Sequence, residues 1–130
     1  MRVLLDTHCW LWLCASPERF SKTVLARLAD PVTVRLLSSA SVWEIVIKHQ
    51  LGKLSLPAAP GDFVPARLAT TRTEVLDISA RHALRVAGLP GHHRDPFDRM
   101  LVAQALVEGI PLMTSDRMLA RYEFERLRPR

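Results

Sequence analysis

Short apolar runs alternate with longer segments of helical periodicity along this chain. The apolar runs predict four strands, over residues 3–5, 32–37, 74–78 and 110–114, with 123–127 as a candidate edge strand. The segments between them predict helices over residues 8–14, 17–30, 38–51, 62–70, 79–88, 95–109 and 116–122. Strands that alternate with helices pair in parallel through right-handed crossovers. The pattern therefore predicts an α/β fold, a three-layer α/β/α sandwich with a mostly parallel sheet of four to five strands.

Four acidic residues either follow a predicted strand or lie early in a predicted helix, and they are Asp6, Glu44, Asp98 and Asp116. Asp6 and Asp116 lie on strand-to-helix turns, and a parallel sheet places all such turns at the carboxyl ends of its strands. Glu44 lies in the helix after the second strand, and Asp98 lies in the first turn of a later helix. We therefore expect the four carboxylates to converge at one edge of the sheet.

Two of these acids have structural alternatives. Ser41 and Glu44 fit a capping box, in which the glutamate only satisfies its own helix terminus, unless the helix begins earlier and moves Glu44 into the second turn. Asp95 precedes Pro96, and an aspartate N-cap followed by a proline at the first helical position accounts fully for Asp95. Asp98 gains only about 0.3–1 kcal/mol from the helix dipole. We therefore assign Asp95 to capping and Asp98 to the site.

The charge of such a cluster limits its chemistry. Four carboxylates in one pocket repel one another unless some are protonated or a cation lies between them. Hydroxyl residues adjoin two of the acids, and they are Thr7, Thr114 and Ser115. An all-oxygen set of ligands suits Mg²⁺ or Mn²⁺ and disfavours zinc. A Mg²⁺ site of this kind is suited to phosphodiester hydrolysis.

Length, charge and cysteine content narrow the class of protein. At 130 residues the chain is expected to form a single domain over residues 1–130. No apolar run approaches the ~20 residues that span a bilayer, and the first residues lack the features of a signal peptide. We therefore expect a cytoplasmic protein without membrane contact. The net charge of +5 indicates either a nucleic-acid partner or a merely soluble basic surface, and charge alone leaves both open.

Five segments carry a more specific signal, and they are residues 4–12 (LLDTHCWLW), 41–48 (SVWEIVIK), 51–54 (LGKL), 94–105 (RDPFDRMLVAQA) and 112–116 (LMTSD). In this order they resemble the motifs of PIN-domain ribonucleases of the VapC toxin type. The resemblance covers nearly the whole chain, and the segment at 94–105 is its strongest part. It implies a Mg²⁺-dependent endoribonuclease, with Mn²⁺ able to substitute, that acts as the toxin of a toxin–antitoxin pair.

The resemblance also implies roles for particular residues. The acidic quartet of the family maps onto Asp6, Glu44, Asp98 and Asp116. We propose that the three aspartates ligate the metal, that Glu44 is either a ligand or a water-positioning base, and that Thr114 supports the ligands from outside the coordination sphere. Hydrolysis would leave a 5′-phosphate and a 3′-hydroxyl. Family members form homodimers and are held inactive by a cognate antitoxin, which the resemblance implies here as well.

Basic residues near the proposed site are candidates for contacts with RNA phosphates, and they are His92, His93, Arg94 and Arg99. Each one singly fits a solvated surface role, whereas the four together favour contact with RNA. Trp10 and Trp43 lie among apolar neighbours and are assigned to the core or a dimer interface rather than to base stacking. The main alternative function is a non-catalytic basic nucleic-acid-binding module, which predicts that neutralising the acids leaves binding intact. A phosphatase or receiver-like enzyme is disfavoured because the chain has no Gly-rich phosphate loop.

Overall fold

A five-stranded, all-parallel sheet forms the centre of the computed structural model, which describes residues 1–91, 93–122 and 125–130. The strands are β1 (Arg2–Leu5), β2 (Val34–Ser38), β3 (Thr73–Leu76), β4 (Leu112–Met113) and β5 (Arg126–Leu127). Their spatial order is β3-β2-β1-β4-β5, with parallel pairing at every step. The predicted α/β/α sandwich is confirmed. Its sheet has five strands among the described residues, because the candidate edge strand near the end of the chain is formed.

Helices connect successive strands, as parallel pairing requires. The α-helices are α1 (Thr7–Ala15), α2 (Lys22–Ala29), α3 (Ser39–Gln50), α4 (Pro60–Thr70), α5 (Ala80–Val86) and α6 (Pro96–Glu108). Two short 3-10 helices lie at Pro17–Arg19 and Arg117–Arg121. No helix among the described residues is long and apolar enough to cross a membrane.

The alternation of side chains along β1 shows why there are three layers. Val3 and Leu5 point to one face, where they pack with Trp10 of α1 and Phe63 of α4. Leu4 points to the opposite face and packs in a second apolar cluster with residues of α6. Successive side chains of a strand point to opposite faces, so a strand that is apolar throughout must be covered on both. The three apolar side chains of β1 are fully buried, and only Arg2 at its start is exposed.

The order in which strands are added to the sheet reverses at β1, and this reversal determines where a ligand can bind. From β1 the chain adds β2 and β3 on one side and returns to add β4 on the other. Loops on the two sides therefore diverge beyond the carboxyl ends of β1 and β4 and leave a crevice, the usual ligand position in open α/β sheets. Leu5 and Met113 are paired at these ends, and the Asp6 amide donates to the Met113 carbonyl over 3.0 Å.

Several predicted boundaries differ from the structure for local reasons. The helix predicted over 62–70 begins two residues earlier, at Pro60, and Asp62 lies in its first turn, because proline is well suited to the first helical position. The helix predicted over 116–122 is a 3-10 helix. The predicted edge strand over 123–127 is observed at Arg126–Leu127, and residues 123 and 124 lie outside the described residues.

Candidate functional site

Asp6 lies directly after β1, where it is the N-cap of α1. Its Oδ1 accepts a hydrogen bond of 2.7 Å from the Cys9 amide, and only 5% of the residue is exposed. Burial raises the pKa of this carboxyl above its ordinary value, while hydrogen bonds from the Thr114 hydroxyl and the Cys9 amide act in the opposite direction. The capping bond occupies one oxygen and leaves Asp6 with further lone pairs for a ligand.

Glu44 lies in the second turn of α3 rather than in a capping box. The helix begins at Ser39 with Ser38 as its N-cap, and the Ser38 side chain accepts from the Ala40 amide. The capping-box interpretation with Ser41 is therefore wrong, because the helix starts earlier than that interpretation requires. Glu44 is 2% exposed, so its carboxylate is held in the protein by contacts other than its own helix terminus.

Two side chains hold the Glu44 carboxylate from opposite sides. The Thr7 hydroxyl donates to Oε1 over 2.6 Å, and the Lys48 ammonium donates to Oε2 over 2.6 Å. Ser41 Oγ lies 2.8 Å from the Thr7 hydroxyl and completes this small network. The sequence carried a signal for the ion pair, since Lys48 follows Glu44 by four positions on one helix. Thr7 had no comparable signal apart from its place beside Asp6.

Asp95 and Asp98 lie three residues apart at the start of α6 and have different contacts. Asp95 is the N-cap of α6, and its Oδ1 accepts from the Phe97 amide at 2.8 Å and from the Asp98 amide at 3.4 Å. Pro96 is the first helical residue, so the capping assignment is confirmed. The Asp98 carboxylate does not cap the helix and contacts His93 instead, with 3.1 Å between Asp98 Oδ2 and His93 Nε2.

Asp116 follows β4 and is the N-cap of the 3-10 helix Arg117–Arg121. Its Oδ1 accepts from the Met118 amide at 2.9 Å, and its own amide donates to the Thr114 hydroxyl oxygen at 3.0 Å. Thr114 is fully buried and also donates to Asp6. This threonine therefore contacts both of the acids that follow neighbouring strands, and its role in supporting metal ligands stays a prediction.

His93 lies between two of the acids. Its Nε2 is 3.1 Å from Asp98 Oδ2 and 3.2 Å from Asp116 Oδ2, while its Nδ1 accepts from the Asp95 amide at 3.1 Å. Because Nδ1 is an acceptor, the ring proton of the neutral imidazole lies on Nε2 and points at the two carboxylates. The ligand atoms of His93, Asp98 and Asp116 all lie within 4.8 Å of one another.

The electrostatics of Asp98 show how closely the acids gather. Burial, then the negative charges of Asp95 and Glu44, and finally that of Asp6, raise its pKa to about 7, with His93 opposing them. A carboxyl group shifts this far only when its charged form lacks enough nearby positive charge. The structure thus brings acids from four separate segments into mutual electrostatic contact, although the tight group of 4.8 Å contains only Asp98 and Asp116 among them.

This arrangement fits a divalent cation. The oxygens of Asp98 and Asp116 converge on one small space, and the buried carboxylates of Asp6 and Glu44 add charge around it. Hard oxygen donors with an excess of negative charge suit Mg²⁺ or Mn²⁺. His93 offers no free lone pair in this arrangement, because its Nδ1 accepts from the Asp95 amide and its Nε2 carries the ring proton, so the carboxylates are the candidate ligands.

The other predicted RNA contacts have different environments. The Arg99 guanidinium donates to the backbone carbonyls of Pro90, His93 and Val86 and to the Tyr122 hydroxyl. Its donors therefore hold the loop that carries His93. Arg94 is exposed beside the site. His92 lies outside the described residues. An RNA contact by any of these side chains stays a prediction.

The tryptophans separate into two environments. Trp10 is fully buried and forms an edge-to-face contact with Phe63, with 6.2 Å between ring centroids, which confirms its core assignment. Trp43 is 61% exposed, so its placement in the core is wrong, while a dimer-interface role stays a prediction. Its ring packs edge-to-face on Phe97 at 5.5 Å, and each of these aromatics directly precedes an acid of the site.

The sequence matches the PIN domain family over residues 3–125. Two curated proteins of Mycobacterium tuberculosis are similar to this chain. Ribonuclease VapC22 is 27% identical over 126 residues, which cover 95% of this chain and 94% of that protein. Ribonuclease VapC16 is 40% identical over 57 residues, which cover 42% of this chain and only 40% of that protein's length.

Solved structures share the fold. VapBC2 from Rickettsia felis, bound to a DNA fragment from its promoter, superposes with a TM-score of 0.75 at 17% identity over 98% of both chains. DNA-bound VapBC from Salmonella typhimurium gives a TM-score of 0.71 at 18% identity, again over 98% of both chains. At such low identities the likeness establishes the fold and leaves the chemistry to the residues of the site.

Proposed function

The chain belongs to the PIN-domain family, and on that premise we propose that it is a metal-dependent endoribonuclease that acts as a toxin. One observation carries the proposal. Burial of Asp98, together with the negative charges of Asp95, Glu44 and Asp6, raises the pKa of its carboxyl to about 7, and the carboxylate of Asp116 lies in the same small group of ligand atoms as that of Asp98. A protein gains no stability from such crowding, because like charges repel. A site that binds a cation accounts for it.

We assign Asp6, Asp98 and Asp116 as metal ligands, with Glu44 as a further ligand or as the base that positions water. When bound, Mg²⁺ or Mn²⁺ would offset the charge that develops on the phosphate and make water easier to deprotonate. Thr114 restrains two of the ligands, since its hydroxyl contacts both Asp6 and the Asp116 amide.

The residues around Glu44 set its orientation. Thr7 and Lys48 each occupy one of its oxygens at 2.6 Å. A carboxylate has about four lone-pair directions, so both oxygens keep room to accept a proton from an attacking water. Because these contacts fix the rotamer, Glu44 can hold water in a defined direction without having to reorganise during the reaction.

His93 restrains the other side of the site. Its Nε2–H points at the carboxylates of Asp98 and Asp116, and the Asp95 amide fixes the ring through Nδ1. This contact keeps the two acids close together although their charges repel. Arg99 supports the arrangement by donating to the His93 carbonyl at 3.4 Å.

The names of the relatives support the biological part of the proposal. VapC22 and VapC16 are called ribonucleases. Three of the structural neighbours are VapBC structures, and a fourth is described as a toxin–antitoxin complex from Klebsiella pneumoniae. We propose that RNA is the substrate, that a cognate antitoxin inhibits the protein, and that the protein forms a homodimer.

The test is RNA cleavage by purified, partner-free protein in Mg²⁺, in Mn²⁺ and in EDTA. Wild-type protein should cut RNA only when the metal is present, and Asp98→Asn should reduce the rate at least a hundredfold. Asp62→Asn is the matched control, because it removes an exposed acid of α4 remote from the site.

Two results would count against the proposal. Cleavage that persists in EDTA and in Asp98→Asn would show that the acids do not perform it. RNA binding without any cleavage, unaffected by Asp98→Asn, would favour the non-catalytic binding module instead.

A further inference from the structure

A groove of about 550 Å³ lies beside the acidic site, between the 3-10 helix Pro17–Arg19 and the segment 126–130. We call it the basic groove, and its principal side chains are Trp12, Arg19, Arg117, Arg126, Arg128 and Arg130. We propose that the basic groove binds the phosphates of the RNA strand that enters the acidic site. The inference rests on the proposed function and adds the path of the substrate to it.

The position of the groove connects it to the site. Thr114 and Ser115 line the groove, and the next residue is Asp116. Trp12 lies on α1, whose N-cap is Asp6. Six residues of α-helix advance about 9 Å, which corresponds to roughly three nucleotides at ~3.4 Å per stacked base. A strand cut at the acids would therefore run along the groove for a few nucleotides.

The charge of the groove is strongly one-sided. Five arginines and a single acid, Glu18, line it. The groove thus carries an excess of four positive charges, which favours a polyanion partner over a merely soluble basic surface. A concentration of cations in a groove selects a polyanion and increases its rate of association.

The arginines of the basic groove differ in their contacts. The Arg130 guanidinium donates to the backbone carbonyls of Glu18, Arg19 and Phe20, so it builds the wall of the groove. Arg117 and Arg128 are exposed, and neither they nor Arg126 form an ion pair among the described residues. These three are the cations that remain for phosphates.

An aromatic ring distinguishes RNA from other polyanions. Trp12 lies half-buried in the groove, and the Arg19 guanidinium lies 4.8 Å from its ring centroid. Aromatic rings that alternate with arginines are the usual means of binding single-stranded nucleic acid, because bases stack on the ring while cations follow the backbone. An acidic peptide would satisfy the arginines but would leave this stacking surface unused. The geometry therefore favours RNA.

The experiment measures how RNA binding depends on salt. A fluorescent single-stranded RNA is titrated with protein in EDTA at several salt concentrations, and fluorescence anisotropy gives the binding constant. The groove variant carries Arg117→Gln, Arg126→Gln and Arg128→Gln. The control variant carries Lys22→Gln, Arg81→Gln and Arg85→Gln, three exposed cations outside the groove, and so has the same change in charge.

The slope of log K against log salt is negative, and for the groove variant its magnitude should be smaller by about 2. Each phosphate contact to a single strand contributes about 0.7, and three cations are removed. The control variant should keep the wild-type slope. A third variant with lysine at the same three groove positions should recover most of the slope, because it retains the charges. Circular dichroism of each variant shows whether it is folded.

Equal slopes for the groove and control variants would overturn the inference. An unchanged RNA slope, combined with lost binding of a polyglutamate peptide, would assign the groove to an acidic peptide and also overturn it. Failure of the proposed function looks different. In that case wild-type protein cuts no RNA in Mg²⁺, although a slope change confined to the groove variant would still identify the groove as the RNA-binding surface.

Discussion

Replacing Asp98 by asparagine should stabilise the metal-free protein at alkaline pH, even though it removes the proposed activity. Folding raises the pKa of Asp98 from 3.8 to about 7. A carboxyl group whose pKa is raised by folding binds more protons in the folded state than in the unfolded state between these values. Stability from this group is therefore lost as the pH rises from about 4 to about 7. Asparagine has no charge and avoids the loss.

The magnitude follows from the shift. A difference of about three pKa units at 1.36 kcal/mol each amounts to about 4 kcal/mol. The Asp98 side chain is 21% exposed, so water screens part of this penalty. Asparagine also loses about 0.3–1 kcal/mol of interaction with the helix dipole. We therefore expect Asp98→Asn to be more stable than wild type by about 2–3 kcal/mol at pH 8, and by only about 1 kcal/mol at pH 5, where the unfolded carboxyl is ionised and the folded one is still protonated.

Urea unfolding in EDTA at pH 5 and at pH 8 measures both quantities. The control is Asp62→Asn, which should change the free energy of unfolding by less than about 0.5 kcal/mol at either pH. Adding Mg²⁺ at pH 8 should stabilise wild type, by about 2.7 kcal/mol at a hundredfold excess over the dissociation constant, and should leave Asp98→Asn nearly unchanged. The raised pKa of Asp98 would be contradicted if Asp98→Asn were no more stable than wild type at pH 8, or if the difference in free energy of unfolding did not increase with pH.

Four further substitutions test other contacts. Lys48→Met should lower the free energy of unfolding in urea by about 1–3 kcal/mol, because it leaves the buried Glu44 without its charged partner; an unchanged midpoint would show that the pair contributes nothing. Arg99→Lys should destabilise the protein by about 1–2 kcal/mol, since a single ammonium cannot replace a guanidinium that reaches several carbonyls, and a thermal melt equal to wild type would contradict this. Trp10→Ala should cost about 3–5 kcal/mol, whereas Trp43→Ala should cost less than about 1 kcal/mol, and similar losses in urea would show that the burial difference has been misjudged.

The positions of the acids could be predicted because local sequence determines them. Asp6 follows an apolar strand, and the pair Asp95–Pro96 fixes the start of α6 and hence the place of Asp98 three residues later. The order of strands and helices in a parallel sheet then places these residues at the carboxyl ends of the strands. The predicted cap of α6 and the predicted core position of Trp10 were correct for the same reason. Each prediction used residues adjacent in sequence, the pair Asp95–Pro96 for the cap and the apolar residues around Trp10 for its burial.

The contacts that hold the acids depend on distant residues and could not be predicted. His93 is oriented by the Asp95 amide and by Tyr122, whose hydroxyl lies 2.9 Å from the His93 amide although it is 29 positions away. Its basic character suggested an RNA contact, whereas the structure places its ring between Asp98 and Asp116. Nothing in the order of residues specifies which way a side chain in a loop points.

Helix α3 shows a second limit. Its apolar residues are spread around much of the helix, so the periodicity did not decide which of them face the core. Ile45 is fully buried while Trp43 is 61% exposed. The start of the helix was similarly ambiguous, because Ser38, Ser39 and Ser41 can all cap, and in the structure β2 extends to Ser38, which is the N-cap.

Calorimetric titration of the partner-free protein with Mn²⁺ shows whether the acids form one cation site, on which the proposed function depends. Wild-type protein should bind Mn²⁺ with a saturable heat that Mg²⁺ competes away, and Asp6→Asn, Asp98→Asn and Asp116→Asn should each weaken binding at least tenfold. Asp62→Asn should bind like wild type. If the three acid variants bind Mn²⁺ as tightly as wild type and the control do, the acids do not hold the ion and the proposed cation site is wrong.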